Sequence, residues 1–318
     1  MPSMGGILRY DKYLSKIALT YPTGNLIGHL VCPTFDADQY SDAIFVDGDD
    51  AILRSNDLAE GAESNGVDFS AGTPYSFRSE RHALNTVITR KEMNNVAKPV
   101  KLKSRNTRKL TNRLRLNHEQ TICTALTDET IVTNYTDVDL VANGRLDEST
   151  PTLETDIITA CKAVHDDTGA IANTIVIPYE AALYAAKIAF IKDSLIYSGR
   201  GMEYVAGDYQ AQTRQLFGLP PVIKGLRVIV STGRRDDSNK GETASVGNPW
   251  GKNILIGYVP PNLDTDSMFG LVCAEHEAFR VKTGPVTDPD GEKVLVEWDY
   301  DIVQGKMECW YLLQNVIG

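Results

Sequence analysis

The chain has no CxxC pair, no HExxH, no GxSxG and no Walker loop among its 318 residues. Each missing pattern removes a chemistry: zinc knuckles and thiol redox pairs, zinc proteases, nucleophile-elbow hydrolases, and P-loop nucleotide hydrolysis. Five cysteines (Cys32, Cys123, Cys161, Cys273 and Cys309) are odd in number and widely spaced. No disulfide framework is indicated, and buried free thiols are expected. No apolar run approaches the roughly 18 residues of a membrane helix. The start, MPSMGGILRYDKYLSKIALTYP, lacks an apolar stretch of signal-peptide length. Cytosol-like, reducing conditions and no membrane contact are therefore expected. Bases are scarce as well: 32 Lys and Arg stand against 42 Asp and Glu, a net charge of -10. That argues against a general nucleic-acid-binding surface. What is present is ordinary globular material, 42% hydrophobic and 23% charged, enough for a sizeable core in two structural units.

The few bases are concentrated. Seven of the fifteen residues from Lys101 are basic: Lys101, Lys103, Arg105, Arg108, Lys109, Arg113 and Arg115. The stretch from Lys98 to Thr130 reads as one long, exposed helix that starts near Ser104 or Thr107, both good N-caps, and ends near Asp128. Its apolar residues, Leu110, Leu114, Ile122, Ala125 and Leu126, fall mostly at spacings of three, four, seven or eight, a narrow stripe. Glu119, Asp128 and Glu129 sit at the far end, so the charges oppose the helix dipole. Such a helix lies across a surface and meets other things; a solvated helix packed by one stripe on a sheet fits the same pattern.

Acid is concentrated too. Between residues 41 and 72, Asp42, Asp47, Asp49, Asp50, Asp57, Glu60, Glu63 and Asp68 face only one base, Arg54. Ala43 to Val46 and Ala51 to Leu53 flank Asp47-Gly48-Asp49-Asp50, which predicts a hairpin with Asp-Gly turn chemistry. A two-stranded ribbon has little core of its own and needs a partner surface. The basic start of the long helix has the opposite sign. A solvated acidic loop is the other reading of this composition.

Elsewhere the chain alternates elements of both kinds. Residues 1–40 carry short apolar clusters broken by Gly and Pro, and read as an arm laid along another surface. Ala83 to Ile88 is strand-like, and a short helix follows before Pro99. The polar NGRLDESTPTL reads as a boundary. Glu154 to Asp167 is an amphipathic helix, Thr174 to Ile177 a buried strand, and Pro178 opens a second helix. Gln210 to Phe217 is a third. Val222 to Ser231 and Asn253 to Val259 are strands on either side of a long polar loop, TGRRDDSNKGETASVGNPWGK. Gly270 to Val281, Lys293 to Tyr300 and Met307 to Val316 predict an antiparallel meander.

No combination of side chains predicts a reaction. Five helical residues set His118 and Cys123 roughly 140° apart, on different faces. Glu119 shares a face with Cys123, and a carboxylate there raises the thiol pKa rather than activating it. In Glu275-His276-Glu277, strand alternation turns both glutamates away from the histidine. Gly199-Arg200-Gly201 lacks a third glycine and a preceding strand. Asp166-Asp167 has no metal-loop spacing around it. Trp250, Trp298 and Trp310 read as core or interface anchors. No catalytic residue, cofactor or metal site is predicted. An enzyme using His118, Cys123 or Glu275 would need a pocket of convergent polar groups. An apolar arm, an acidic ribbon and a polar spine point instead to a protein whose surfaces are its function.

In that order the elements resemble the Hong Kong 97-type major capsid proteins of tailed bacteriophages. ERHALNTVITRKEMNNVAKP leading into RNTRKLTNRLRLNHEQTICTAL looks like the approach to, and body of, the family's spine helix. TLETDIITACKAVHDDTGAIANTIVIPYEAALYAA looks like the first helix, strand and second helix of its axial domain. RQLFGLPPVIKGLRVIVS with NPWGKNILIGYVPP looks like that domain's later helix and strand pair. The resemblance implies an α+β fold with an N-terminal arm (1–40), an extended β-hairpin loop over a neighbouring subunit (41–85), and a peripheral domain with the spine helix (86–150 and 263–318). An axial domain is inserted at 151–262, with the 232–251 loop near its tips. It implies a structural, non-enzymatic protein that assembles with itself into pentamers and hexamers of an icosahedral shell in the host cytoplasm. That shell would enclose double-stranded DNA without sequence-specific binding. A separate scaffolding protein, a portal protein and decoration proteins are the other expected partners. A cellular nanocompartment shell of the encapsulin type is the alternative within the same fold. From charge alone, Asp47, Asp49 and Asp50 on the ribbon and Arg105, Arg108 and Arg113 on the spine are the expected inter-subunit residues.

Overall fold

The computed structural model describes all residues except 1–7, 21–24, 47–72, 96–98, 142–143, 198–208, 237, 239–242, 244 and 262–269. In chain order the first half comprises β1 (Arg9–Tyr10), α1 (Lys12–Thr20), α2 (Gly28–Val31), β2 (Thr34–Asp36), β3 (Ser41–Val46), β4 (Thr73–Arg78), β5 (Glu80–Thr89), α3 (Arg90–Asn95), α4 (Pro99–Leu126) and β6 (Tyr135–Asp137). Then come α5 (Leu153–Thr168), β7 (Thr174–Pro178), α6 (Tyr179–Ala185), α7 (Ala189–Tyr197), α8 (Tyr209–Phe217), β8 (Val222–Ile223), β9 (Leu226–Ser231), β10 (Arg235–Asp236), β11 (Val246–Gly247) and β12 (Ile254–Gly257). The long hairpin strands β13 (Leu271–Thr287) and β14 (Asp290–Gln304) precede β15 (Trp310–Gln314).

Helix α4 spans 28 residues. It starts at Pro99, more than a turn before the expected Ser104 or Thr107, because proline lacks only a donor that the first turn would leave unpaired. Its buried stripe is wider than the apolar pattern: Thr107, Thr111, His118 and Glu119 join Leu110, Leu114, Ile122, Cys123, Ala125 and Leu126. The stripe packs on β13 and β14 through Phe279, Val281, Val294, Val296 and Trp298. Lys103 crosses to Glu292 at 2.6 Å and ties the first half of the helix to β14.

The order in this sheet is β1-β13-β14-β5, with β2 added beside β13. Of residues 1–40, expected to be an arm along another surface, α1, β1 and β2 pack on the chain's own sheet and α4. Asp11 caps α1 by accepting from the Leu14 amide. Ser15 Oγ accepts from the Val281 amide at 2.9 Å, and Leu14 and Ala18 are buried in the α4 core. The strand β3 pairs antiparallel with β4, Val46 opposite Thr73. The tight hairpin expected across Asp47-Gly48 is therefore corrected: the partner of β3 comes from Thr73–Arg78, and Ala51 to Leu53 lie outside the described residues. Extended, aromatic-rich TPYSFR supplies a better pairing strand than AIL.

The second sheet has six strands, ordered β6-β15-β12-β7-β9-β8. The last run of the tail is not the third strand of a meander. It leaves the β13–β14 hairpin and pairs as β15 with β12 and β6. Leu312, Leu255, Val176 and Ile229 stand side by side across four strands and face the α4 core. The alternate residues Leu313, Ile254, Ile256, Ile175, Ile177, Val228 and Val230 face a second core under α5, α6 and α7. Period-two side-chain alternation thus buries both faces of the sheet. Trp310 fits only because Gly257 lies against it: a Cβ there would come within 2.4 Å of the indole.

Candidate functional site

The exposed face of α4 carries Lys101, Arg105, Arg108, Lys109 and Arg113. None of the five makes an ion pair with a described residue. Lys101, Arg105, Arg108, Lys109 and Asn112 recur at helical spacing and line one groove of about 590 Å³ with Ser104 and Tyr13. Tyr13 comes from α1, so the folded N-terminal segment forms the opposite wall. Of the expected spine residues, Arg105 and Arg108 line the groove, while Arg113 sits farther round the helix. Asp47, Asp49 and Asp50 lie outside the described residues. Sequence reasoning missed Tyr13, Ser104 and Asn112. The i, i+4, i+7, i+8 spacing of the bases already marked the helical face, but nothing local placed α1 against it.

Other candidates are settled by packing. His118 is buried against Trp298 and Tyr300, with ring centroids 4.8 Å from each. Burial, with help from His82, His29 and Arg115, lowers its pKa to about 3. Unfolded histidine binds its proton near pH 6.5. Between those values the unfolded chain holds more protons, so stability falls as pH drops through that window. Denaturant midpoints measured from pH 7 to pH 4 should fall steadily. His118→Phe should remove about 2–4 kcal/mol of that fall; an unchanged slope would contradict the assignment.

Cys123 lies beside Glu119, as its helical spacing required. Burial and that carboxylate push the thiol up to about 12, and its Sγ donates to the Pro249 carbonyl at 2.9 Å. It is a packed thiol and not a nucleophile. At Glu275-His276-Glu277 strict alternation fails, because a bulge separates Glu275 from Glu277. Glu275 accepts from the Trp298 indole at 2.7 Å, His276 meets the Ala37 carbonyl, and Glu277 pairs with Arg280. Arg280 also reaches Asp299, the neighbour of Trp298 on β14. The two glutamates therefore serve opposite faces, which corrects the expectation that both turn the same way. Of the 232–251 segment, Arg235 and Trp250 lie against α4: Arg235 donates to Gln120 at 2.6 Å, and buried Trp250 donates to Glu119. Among the described residues, no three His, Cys, Asp or Glu side chains form a metal-sized cluster.

No protein-family model matches the chain, and none of the curated proteins matches its sequence. Solved structures do match its fold. A phage-related protein from Bordetella bronchiseptica aligns with a TM-score of 0.67 and 20% identity, covering 98% of each chain. The capsid of cyanophage P-SCSP1u aligns with a TM-score of 0.58 and 11% identity, over 89% of this chain and 85% of that one. A virus-like particle from Pyrococcus furiosus gives 0.52 and 12%, over 95% and 96%. The fold is thus the α+β fold of phage capsid proteins. The Bordetella protein has that same fold over essentially its whole length.

Proposed function

We propose that this protein is the major shell subunit of a tailed-phage head, assembling with copies of itself into a closed container for double-stranded DNA. The observation that carries the reading is the match in fold along most of the chain, not over one lobe, to a phage-related protein and a cyanophage capsid. A shell needs many copies joined by contacts of modest strength. Standard interfaces bury about 1,600 Å², and spreading them over several neighbours adds avidity without one dominant contact. The basic face of α4 fits that role. It has five exposed cations in a chain whose net charge is -10, and the acidic stretch from Asp47 to Asp68 of a neighbouring copy is its complement. A chain acidic elsewhere also suits a DNA container, since a strongly basic lining would grip the genome. Scaffolding, portal and decoration proteins are the partners such a shell would use.

The likeness to the Pyrococcus particle keeps a cellular compartment shell as the second reading; gene neighbours, portal and terminase against a cargo enzyme, separate the two. Sedimentation velocity of the purified chain tests the shell reading itself. Species of many tens of copies, or discrete rings that convert to them, are expected. A monomer at all concentrations, with or without a scaffolding protein, would refute it.

A further inference from the structure

Glu119 is a buried carboxylate, 1% exposed, in the second half of α4. Its two oxygens serve two distant parts of the chain. Oε2 accepts from the Gly28 amide at the start of α2. Oε1 accepts from the Trp250 indole at 2.7 Å. Glycine at 28 eases this approach, because a Cβ would stand 3.0 Å from Oε2 and 3.1 Å from Ile122 Cδ1 and make both give way. The Trp250 side continues into the six-stranded sheet. The Trp250 amide donates to Asn248 Oδ1 at 2.9 Å, and Asn248 Nδ2 donates to the Ser231 carbonyl at the end of β9, also at 2.9 Å. The two segments also touch directly. A Cβ on Gly233 would lie 3.5 Å from the Asn25 carbonyl and from Leu26 Cδ2.

We infer that residues 25–32 act as a latch on residues 231–233 and 248–250, holding them in place through the shared carboxylate of Glu119. A buried carboxylate is satisfied only while its donors are present, and losing one donor leaves the desolvation cost unmet. Lifting Gly28 from the helix therefore weakens the seat of Trp250, and lifting Trp250 weakens the seat of Gly28. Coupling between two sites is reciprocal by linkage. A neighbour that pulls on the N-terminal segment would thereby loosen the β9 end of the inserted unit, with no contact to that unit itself. The groups that face the carboxylate are few: the Trp250 indole, the Gly28 and Ile27 amides, and the Cys123 thiol on the same helix.

Amide exchange by mass spectrometry on the full chain tests the latch. Trp250→Phe keeps the packing and removes the donor, and should speed exchange at residues 27–32 about tenfold. Gly28→Ala should speed exchange at residues 246–253 by about the same factor, while α5 stays protected. If Gly28→Ala does not fold, Trp250→Phe and Glu119→Asp, each read at residues 27–32, decide the question. Faster exchange confined to the substituted segment in every variant that folds would overturn the coupling.

Discussion

Changing Arg105, Arg108 and Arg113 together to Glu should leave a soluble, folded chain that forms no particles. All three side chains are exposed on α4 and none holds a described partner, so each substitution should shift stability by no more than ~0.5 kcal/mol. Three reversals of two charges each take the net charge from -10 to about -16, and cancel the positive charge of the groove wall, where Lys101 and Lys109 remain. An exposed ion pair contributes only about 0.2–1 kcal/mol, but a shell repeats the contact in every subunit, and reversal replaces attraction with repulsion at each. Electrostatic complementarity acts mainly on partner choice and encounter, so the defect should appear at assembly and not in the melting curve. High salt should weaken wild-type assembly by the same physics. Normal particles from the triple variant would remove the pairing of acidic segment and basic helix.

The largest loss of fold stability should come from Arg280→Met. Arg280 joins three carboxylates on the face of β13 and β14 away from α4: it pairs with Glu277, Asp299 at 3.1 Å and Glu297 at 3.8 Å. The Asp299 side chain is fully buried, and its other cation, Arg81, stands at 3.5 Å on an exposed arm. Lys282 holds Glu297 at 2.6 Å and cannot serve Asp299 as well. Taking away one partner of a buried pair leaves an uncompensated charge, a loss of about 3–5 kcal/mol. Because Arg280 keeps some contact with solvent, the lower end applies. Adding Asp299→Asn to Arg280→Met should recover part of the loss, since it removes the stranded charge. Equilibrium urea unfolding reads both. A loss below about 1 kcal/mol for Arg280→Met would mean that water already carries the network.

Local signals were legible where chemistry is local. The bases of α4, the β-branched strand at Thr174 to Ile177, and Pro178 at a helix start each act through neighbours in sequence. The stop at Gly169, which adopts a left-handed conformation with φ 69°, does the same. What sequence could not supply was pairing between distant segments. Leu313 faces Ile254 only because β15 abandons the hairpin that precedes it, and no residue within Met307 to Val316 announces that choice. Glu119 looked like a charge at the polar end of a helix, yet it is buried because Gly28 and Trp250 arrive from either side. The groove shows the same division: its basic wall is periodic in the sequence, while Tyr13 reaches it through the fold.

Electron cryomicroscopy of the purified chain, alone and with a scaffolding partner, tests the central claim most directly. The shell reading predicts closed particles with five-fold vertices, in which the acidic segment of one subunit lies over α4 of the next. A uniform population of isolated subunits under every assembly condition, or particles in which α4 from Lys101 to Arg113 faces only solvent, would contradict it.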